Sequence, residues 1–240
     1  MAVFFDFLLS TFYYLLTTMR FHFLTIFPEM IESYLGESML KRAKEKKLAS
    51  FDVRNIRDYT KDKHRKTDDR PYGGGPGMVM TAQPILAAAK SLKLGARRQK
   101  LVAKYIMLSP SGKMFTNEVA KKFAKTYSDV VFICGRYEGV DDRVRKILKA
   151  DEYSIGNFVL TGGELPALVM TDAIVRQLPG VLGKEESLEE ARTASPRVYT
   201  RPEVLIWPKG KSAKKHKVPK VLTGGNHKDI EAWRAAQKGK

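Results

Sequence analysis

One cysteine, Cys134, in 240 residues excludes an internal disulfide and a cysteine-built zinc site, and such sparing use suits a reducing compartment. Nothing beside it predicts a lowered thiol pKa, so it reads as a buried strand thiol rather than a nucleophile. The chain also lacks G-x-x-x-x-G-K-[ST], and no G-x-G-x-x-G joins a strand to a helix, which removes the P-loop and dinucleotide-fold readings. No internal repeat is visible. The one long apolar run, residues 1–18, holds a single charge, Asp6, and lacks the basic start and small-residue cleavage site of a signal peptide. It barely reaches the length of a membrane span. A second methionine, Met19, opens a strand-like run, so residues 1–18 read as an upstream-start artefact or a peripheral helix, with no membrane contact expected. Acidic side chains are scarce too: 26 Asp and Glu against 43 Lys and Arg leave a formal charge of +17, enough to attract a polyanion by steering and counterion release.

What the chain does have is alternation. Apolar runs of strand length at 20–27, 51–56, 105–109, 130–134 and 152–155 interleave with helical patterns at 29–47, 83–94, 117–127, 140–148 and 164–177. That is the signature of an α/β domain. Past Pro179 the pattern breaks, which divides the chain into a domain at 19–182, a polar linker at 183–200 and a small basic segment at 201–240 with one clear helix at 229–236. The charge is concentrated: residues 41–70 and 192–240 together carry +16 of the +17.

Three glycine-containing turns each follow an expected strand: Ser109-Pro110-Ser111-Gly112, Gly135-Arg136-Tyr137-Glu138-Gly139, and the stretch from Gly156 to Gly162-Gly163. Ligands of open α/β sheets bind outside the carboxyl ends of strands, so three such turns suggest one pocket. The stretch RPYGGGPGM, residues 70–78, differs, because it follows the charged DKHRKTDD rather than a strand. It reads as a mobile loop that orders on contact with nucleic acid, its basic approach supplied by Lys61, Lys63, His64, Arg65 and Lys66.

DKHRKTDDRPYGGGPGM, LSPSG, ICGRYEG, SIGNFVLTGGELPA, PGVLGKEES and YTRPEV occur in this order. In these motifs the chain closely resembles the bacterial tRNA (guanine-N1)-methyltransferases of the SPOUT superfamily. The resemblance implies an α/β SPOUT-type catalytic domain with a deep C-terminal trefoil knot, followed by a small α-helical basic domain that binds tRNA. It implies a cytoplasmic homodimer that moves the methyl of S-adenosylmethionine to N1 of the guanosine immediately 3′ of the anticodon, with Mg2+ needed by some members. The cofactor pocket would comprise Leu108, Ser109, Pro110 and Gly112, then Gly135, Tyr137 and Glu138, and finally Ser154, Ile155, Gly156, Asn157, Phe158, Val159, Leu160, Thr161, Gly162, Gly163 and Pro166. Tyr72, Pro76 and Gly77 would line the target guanine, with Lys63, His64, Arg65, Arg201, Asn226 and His227 on the tRNA.

Methylation at guanine N1 needs a base for the N1 proton and a donor for the charge growing on O6. By family position Arg176 takes the second role, although its spacing from Asp172 also allows a local pair on one helix face. For the first role the family carries an aspartate where this chain has Ala191, so Glu190 is the expected base. Glu138 is expected beside the methyl donor, or as an acid capping the helix after Gly139. The missing aspartate and a tail short for the family leave two other readings open: an inactive RNA-binding protein that keeps the fold, and a SPOUT enzyme with another RNA target.

Overall fold

The computed structural model describes residues 18–94, 102–182, 197–210 and 212–237. By their contacts these belong to two compact units that part after Leu182. Glu190 and Ala191 lie outside the described residues.

The first unit is built on a five-stranded sheet formed by β1 (Met19–Thr25), β2 (Ala49–Asn55), β5 (Ala103–Met114), β6 (Asp129–Ile133) and β7 (Asp151–Ser154). Its strand order is β2-β1-β6-β5-β7, and every pairing is parallel. Alternation along the strands divides the apolar side chains between two cores. Phe21, Phe23, Val130 and Phe132 face one way, where Phe23 and Phe132 stack with ring centroids 5.4 Å apart. Leu24, Val131 and Ile133 face the other. Period-two patterning is what a sheet covered on both faces requires.

The first core is roofed by α1 (Pro28–Leu35), α2 (Ser38–Glu45), α4 (Asn117–Thr126) and α6 (Glu164–Val175). The second is covered by α3 (Ala82–Ser91), α5 (Asp142–Leu148) and the 3-10 turn Ile56–Tyr59. The single helix expected at 29–47 is in fact two, because the chain caps at Gly36, whose N–H reaches Glu32 O at 3.2 Å. The strand expected at 105–109 runs on to Met114: β5 pairs with Tyr153 at Leu108 and again at Lys113, so residues 109–112 bulge between two contacts with the same β7 residue.

A two-residue ribbon, β3 (Asp68–Asp69) and β4 (Val79–Met80), brackets the glycine-rich loop in antiparallel register, Asp68 opposite Met80. No strand was expected there.

The second unit also departs from the all-helical expectation. Alongside α7 (Lys220–Thr223) and α8 (His227–Ala236) it holds an antiparallel hairpin, β8 (Val204–Ile206) with β9 (Lys215–Lys217). Each strand is three residues long, too short to show a period, and a lysine-rich strand reads as solvated loop.

Candidate active site

β5, β6 and β7 are parallel neighbours, so the loops leaving them share the carboxyl edge of the sheet. Between those loops lies a cavity of about 390 Å3, within the roughly 300–1,000 Å3 typical of small-molecule sites. The expected cofactor residues line it, except Gly112 and Asn157. Gly112 is pressed on β7 instead: a Cβ there would stand 2.6 Å from the backbone of Glu152 and Tyr153. Asn157 is exposed. Gly163 has a comparable reason to be glycine, because a Cβ would meet Cys134 Cα at 2.8 Å. Cys134 itself is buried at the end of β6, and burial pushes its thiol pKa well up, as suits an inert core residue.

The side chain that ties the pocket together, Arg136, did not stand out in the sequence. Its Nε donates to Glu164 Oε2 at 2.9 Å and its Nη1 to Thr161 O at 3.3 Å. Its guanidinium lies 4.7 Å from the centroid of the Phe27 ring. Glu164, the first residue of α6, is 1% exposed and also accepts from Thr25 Oγ1 at 2.7 Å. One buried carboxylate thus joins the end of β1, the loop after β6 and the loop after β7. The available signal was chemical: an acid opening an otherwise apolar helix, ELPALVM, needs a cation once it is buried.

Tyr137 and Glu138 line the pocket from the same loop, Tyr137 in a left-handed conformation with φ of 59°. Non-glycine residues held there are uncommon and concentrate at functional sites. Glu138 does not cap the following helix; Asp141 does, its Oδ1 accepting from Arg143 N at 2.9 Å. The loop instead meets the end of the glycine-rich stretch. Glu138 N donates to Met78 O at 3.0 Å, Met80 N to Gly139 O at 2.9 Å, and Asp141 N to Met80 O at 3.0 Å.

In the first unit, Tyr72, Pro76, Gly77, Lys63, His64, Arg65 and Arg176 are not among the residues that line the cavity. Tyr72, Pro76 and Gly77 are exposed, as are Lys63, His64 and Arg65. The basic turn is internally braced, since Asp62 Oδ2 accepts from His64 N at 2.8 Å and Lys66 N at 3.0 Å. Arg176 caps α6 at the end opposite the pocket, roughly 20 Å from Gly163 at the helical rise of about 1.5 Å per residue. Asp172 accepts from Tyr34 OH at 2.9 Å, which raises the tyrosine pKa. Arg201, Asn226 and His227 belong to the second unit, where Asn226 caps α8 by accepting from Lys228 N at 3.1 Å. Among the described residues no group of three or more His, Cys, Asp or Glu gathers to hold a metal, and no helix is long and apolar enough to cross a membrane.

A parallel sheet with its ligand pocket outside three strand ends defines an α/β enzyme that takes its small ligand between loops. The sequence family described as tRNA (Guanine-1)-methyltransferase TrmD matches residues 19–240, and the chain belongs to that family. It is 44% identical over 220 residues to a tRNA (guanine-N(1)-)-methyltransferase of Clostridioides difficile, with 90% of each chain covered. The Bacillus subtilis protein of that name is 46% identical over 220 residues (90% of this chain, 86% of the relative). That of Caldicellulosiruptor saccharolyticus is 48% identical over 223 residues, covering 91% and 85%.

Proposed function

We propose that this enzyme transfers the methyl group of S-adenosylmethionine to N1 of the guanosine immediately 3′ of the anticodon in tRNA, as a cytoplasmic homodimer. The observation that carries the proposal is the meeting of two loops: the glycine-rich loop after the basic turn is hydrogen-bonded to the rim of the strand-end pocket at Glu138 and Gly139. An acceptor held by the first would lie beside a ligand held by the second.

The pocket suits the methyl donor. Backbone of Gly135, Gly156 and Gly163 allows close approach to the edges of an adenine ring, and Ile155, Leu160 and Pro166 offer apolar surface to its faces. When bound, S-adenosylmethionine supplies an electrophilic methyl. The chain's part is to hold Tyr72, Pro76 and Gly77 against the guanine, to remove the N1 proton through Glu190, and to place Arg176 where negative charge grows on O6. The Glu138 carboxylate offers a negative charge on the pocket wall. It is also the carboxylate on which Mg2+ would rest, an ion that keeps several waters and takes one or two protein carboxylates.

A second copy explains the position of Arg176. Leu165 and Val169 on α6 are exposed at 54% and 42%, and so are Met30 and Tyr34 on α1 and Phe158 and Val159 of the pocket loop. Spacings of four, three and four put Leu165, Val169, Asp172 and Arg176 on one helix face. Exposed apolar surface of this kind marks an interaction site. Two such faces packed antiparallel would carry one copy's Arg176 toward the other copy's pocket. The trefoil knot is proposed from membership of the family, and Gly112 lying hard on the β7 backbone is compatible with it.

Incubation with methyl-labelled S-adenosylmethionine and unmodified tRNA transcripts is expected to label the target guanosine, and replacing that guanosine by adenosine to abolish the signal. Binding of both partners with no transfer would turn the reading into an RNA-binding protein that keeps the fold, the alternative that Ala191 favours.

A further inference from the structure

The hairpin of the second unit has two unlike sides. Val204 pairs with Lys217 and Ile206 with Lys215, which sets those four residues on one side. Leu205 pairs with His216, and Trp207 N donates to Lys214 O at 2.9 Å, carrying the ladder one step past β8. Alternation therefore puts Leu205, Trp207 and His216 together on the other side. That side stands open: Leu205 is 52% and Trp207 65% exposed, and His216 is exposed as well. The unit's other tryptophan, Trp233, is partly covered instead and lies against Tyr199 with ring centroids 6.3 Å apart. The His216 ring is tied to the hairpin, since its Nε2 donates to Trp207 O at 3.1 Å.

Uncovered apolar and aromatic side chains gathered on one side mark an interaction surface, and the charge around them says of what kind. Residues 203–218 hold one acid, Glu203, against five lysines. A flat π face set among cations fits a nucleobase flanked by its phosphates. We infer that Trp207 is a stacking platform for one unpaired base of the tRNA loop that carries the target guanosine, with Leu205 and His216 bordering it. A base inside a helix has both faces covered by its neighbours, so only an unpaired base can offer one to the indole. The hairpin would then tell loop from stem, which its lysines alone cannot do. The inference rests on the tRNA assignment proposed above and adds to it a residue that reads single-stranded RNA.

Filter binding of unmodified tRNA transcript to the full-length protein, native and substituted at Trp207, tests the platform. Trp207→Ala is expected to weaken binding about tenfold. Trp207→Leu, which keeps apolar bulk without a π face, should lose as much, and Trp207→Tyr should return to within about threefold of native. The slope of log affinity against log salt is expected to stay native throughout, because no phosphate contact is removed. S-adenosylhomocysteine, the donor without its methyl, should bind every variant as it binds the native protein. Transcripts lacking one base at each loop position in turn locate the partner. At one position the native protein should lose the same factor of about ten, and Trp207→Ala nothing further. Native affinity in Trp207→Ala, full rescue by leucine, or additive losses at every loop position would each overturn the platform while leaving the proposed reaction standing. So would a Trp207→Ala protein that sediments as a smaller species than the native one, which would give this side of the hairpin to a second copy of the chain. A native protein that binds no tRNA would overturn the tRNA assignment and the platform together.

Discussion

Two charged clusters organise the molecule at the scale of single residues, and they sit at opposite edges of the sheet. At the carboxyl edge, Glu164 is held by Arg136 and Thr25. Removing one partner of a buried pair leaves an uncompensated charge, at a cost of about 3 kcal/mol. Glu164→Ala is therefore expected to lower stability by about that much in urea unfolding, and to weaken donor binding because Arg136 no longer anchors Thr161. A variant that unfolds like the native protein would refute the anchor. At the amino edge, Asp129 starts β6 fully buried, bound by Arg20 through two bonds of 2.7 Å and by His22 Nε2 at 2.9 Å. Burial alone would raise this carboxyl, but hydrogen bonds from Arg20, His22 and Ser128 outweigh it and hold the pKa well below the usual carboxylate range. Asp52 is lowered as well, burial there being outweighed by Arg54 and His22. A depressed folded pKa gives stability that is complete above the unfolded value of about 3.9 and drains away as pH falls below it. Unfolding free energy should be nearly flat between about pH 7 and 5 and fall steeply below about pH 4. Asp129→Asn should be less stable at neutral pH with a shallower acid decline, and an unaltered acid slope in that variant would contradict the assignment.

At the scale of elements, α6 has two jobs. Its first turn lines the pocket with Pro166 and holds Arg136 through Glu164, and its outer face presents Leu165 and Val169. A charge on that face tests the proposed dimer without touching the cavity. Val169→Asp is expected to sediment as a monomer, retain S-adenosylhomocysteine binding and lose methyl transfer; a dimeric, active variant would sink the interface. Which elements were legible follows from the physics of each. The sheet strands and the helices after them were readable because both faces of the sheet are covered, leaving plain apolar runs such as VVFIC at 130–134. The strand-end turns were readable from their glycines. The break at Gly36 was not, because α1 and α2 keep helical patterning on both sides of it. Nor was the continuation of β5, whose residues 109–112 read as a turn and gain a pairing partner only when β7 lies beside them. Arg136 escaped notice because its partner, Glu164, is 28 residues away and buried only in the folded chain.

At the scale of the whole molecule, the excess of basic charge has to be assigned to surfaces. In the second unit, pairing of Val204 with Lys217 and Ile206 with Lys215 puts two lysines and two aliphatic residues on one side of the hairpin, all exposed. Few acids oppose them, since residues 192–240 hold 13 basic and 3 acidic side chains. Such a face can follow a phosphate backbone while its aliphatic residues meet sugar. Each phosphate neutralised by a lysine or arginine contributes about 0.7 to 0.9 to the slope of log affinity against log salt. If Lys214, Lys215 and Lys217 each meet a phosphate, replacing all three by glutamine lowers that slope by about 2, with the donor pocket in the first unit unaffected. Filter binding of tRNA between about 50 and 200 mM salt reads the slope, and S-adenosylhomocysteine titration checks the pocket. A triple variant with the native slope would move the tRNA contact off the hairpin and onto the turn that bears Lys63, His64 and Arg65, where the same substitution series then applies.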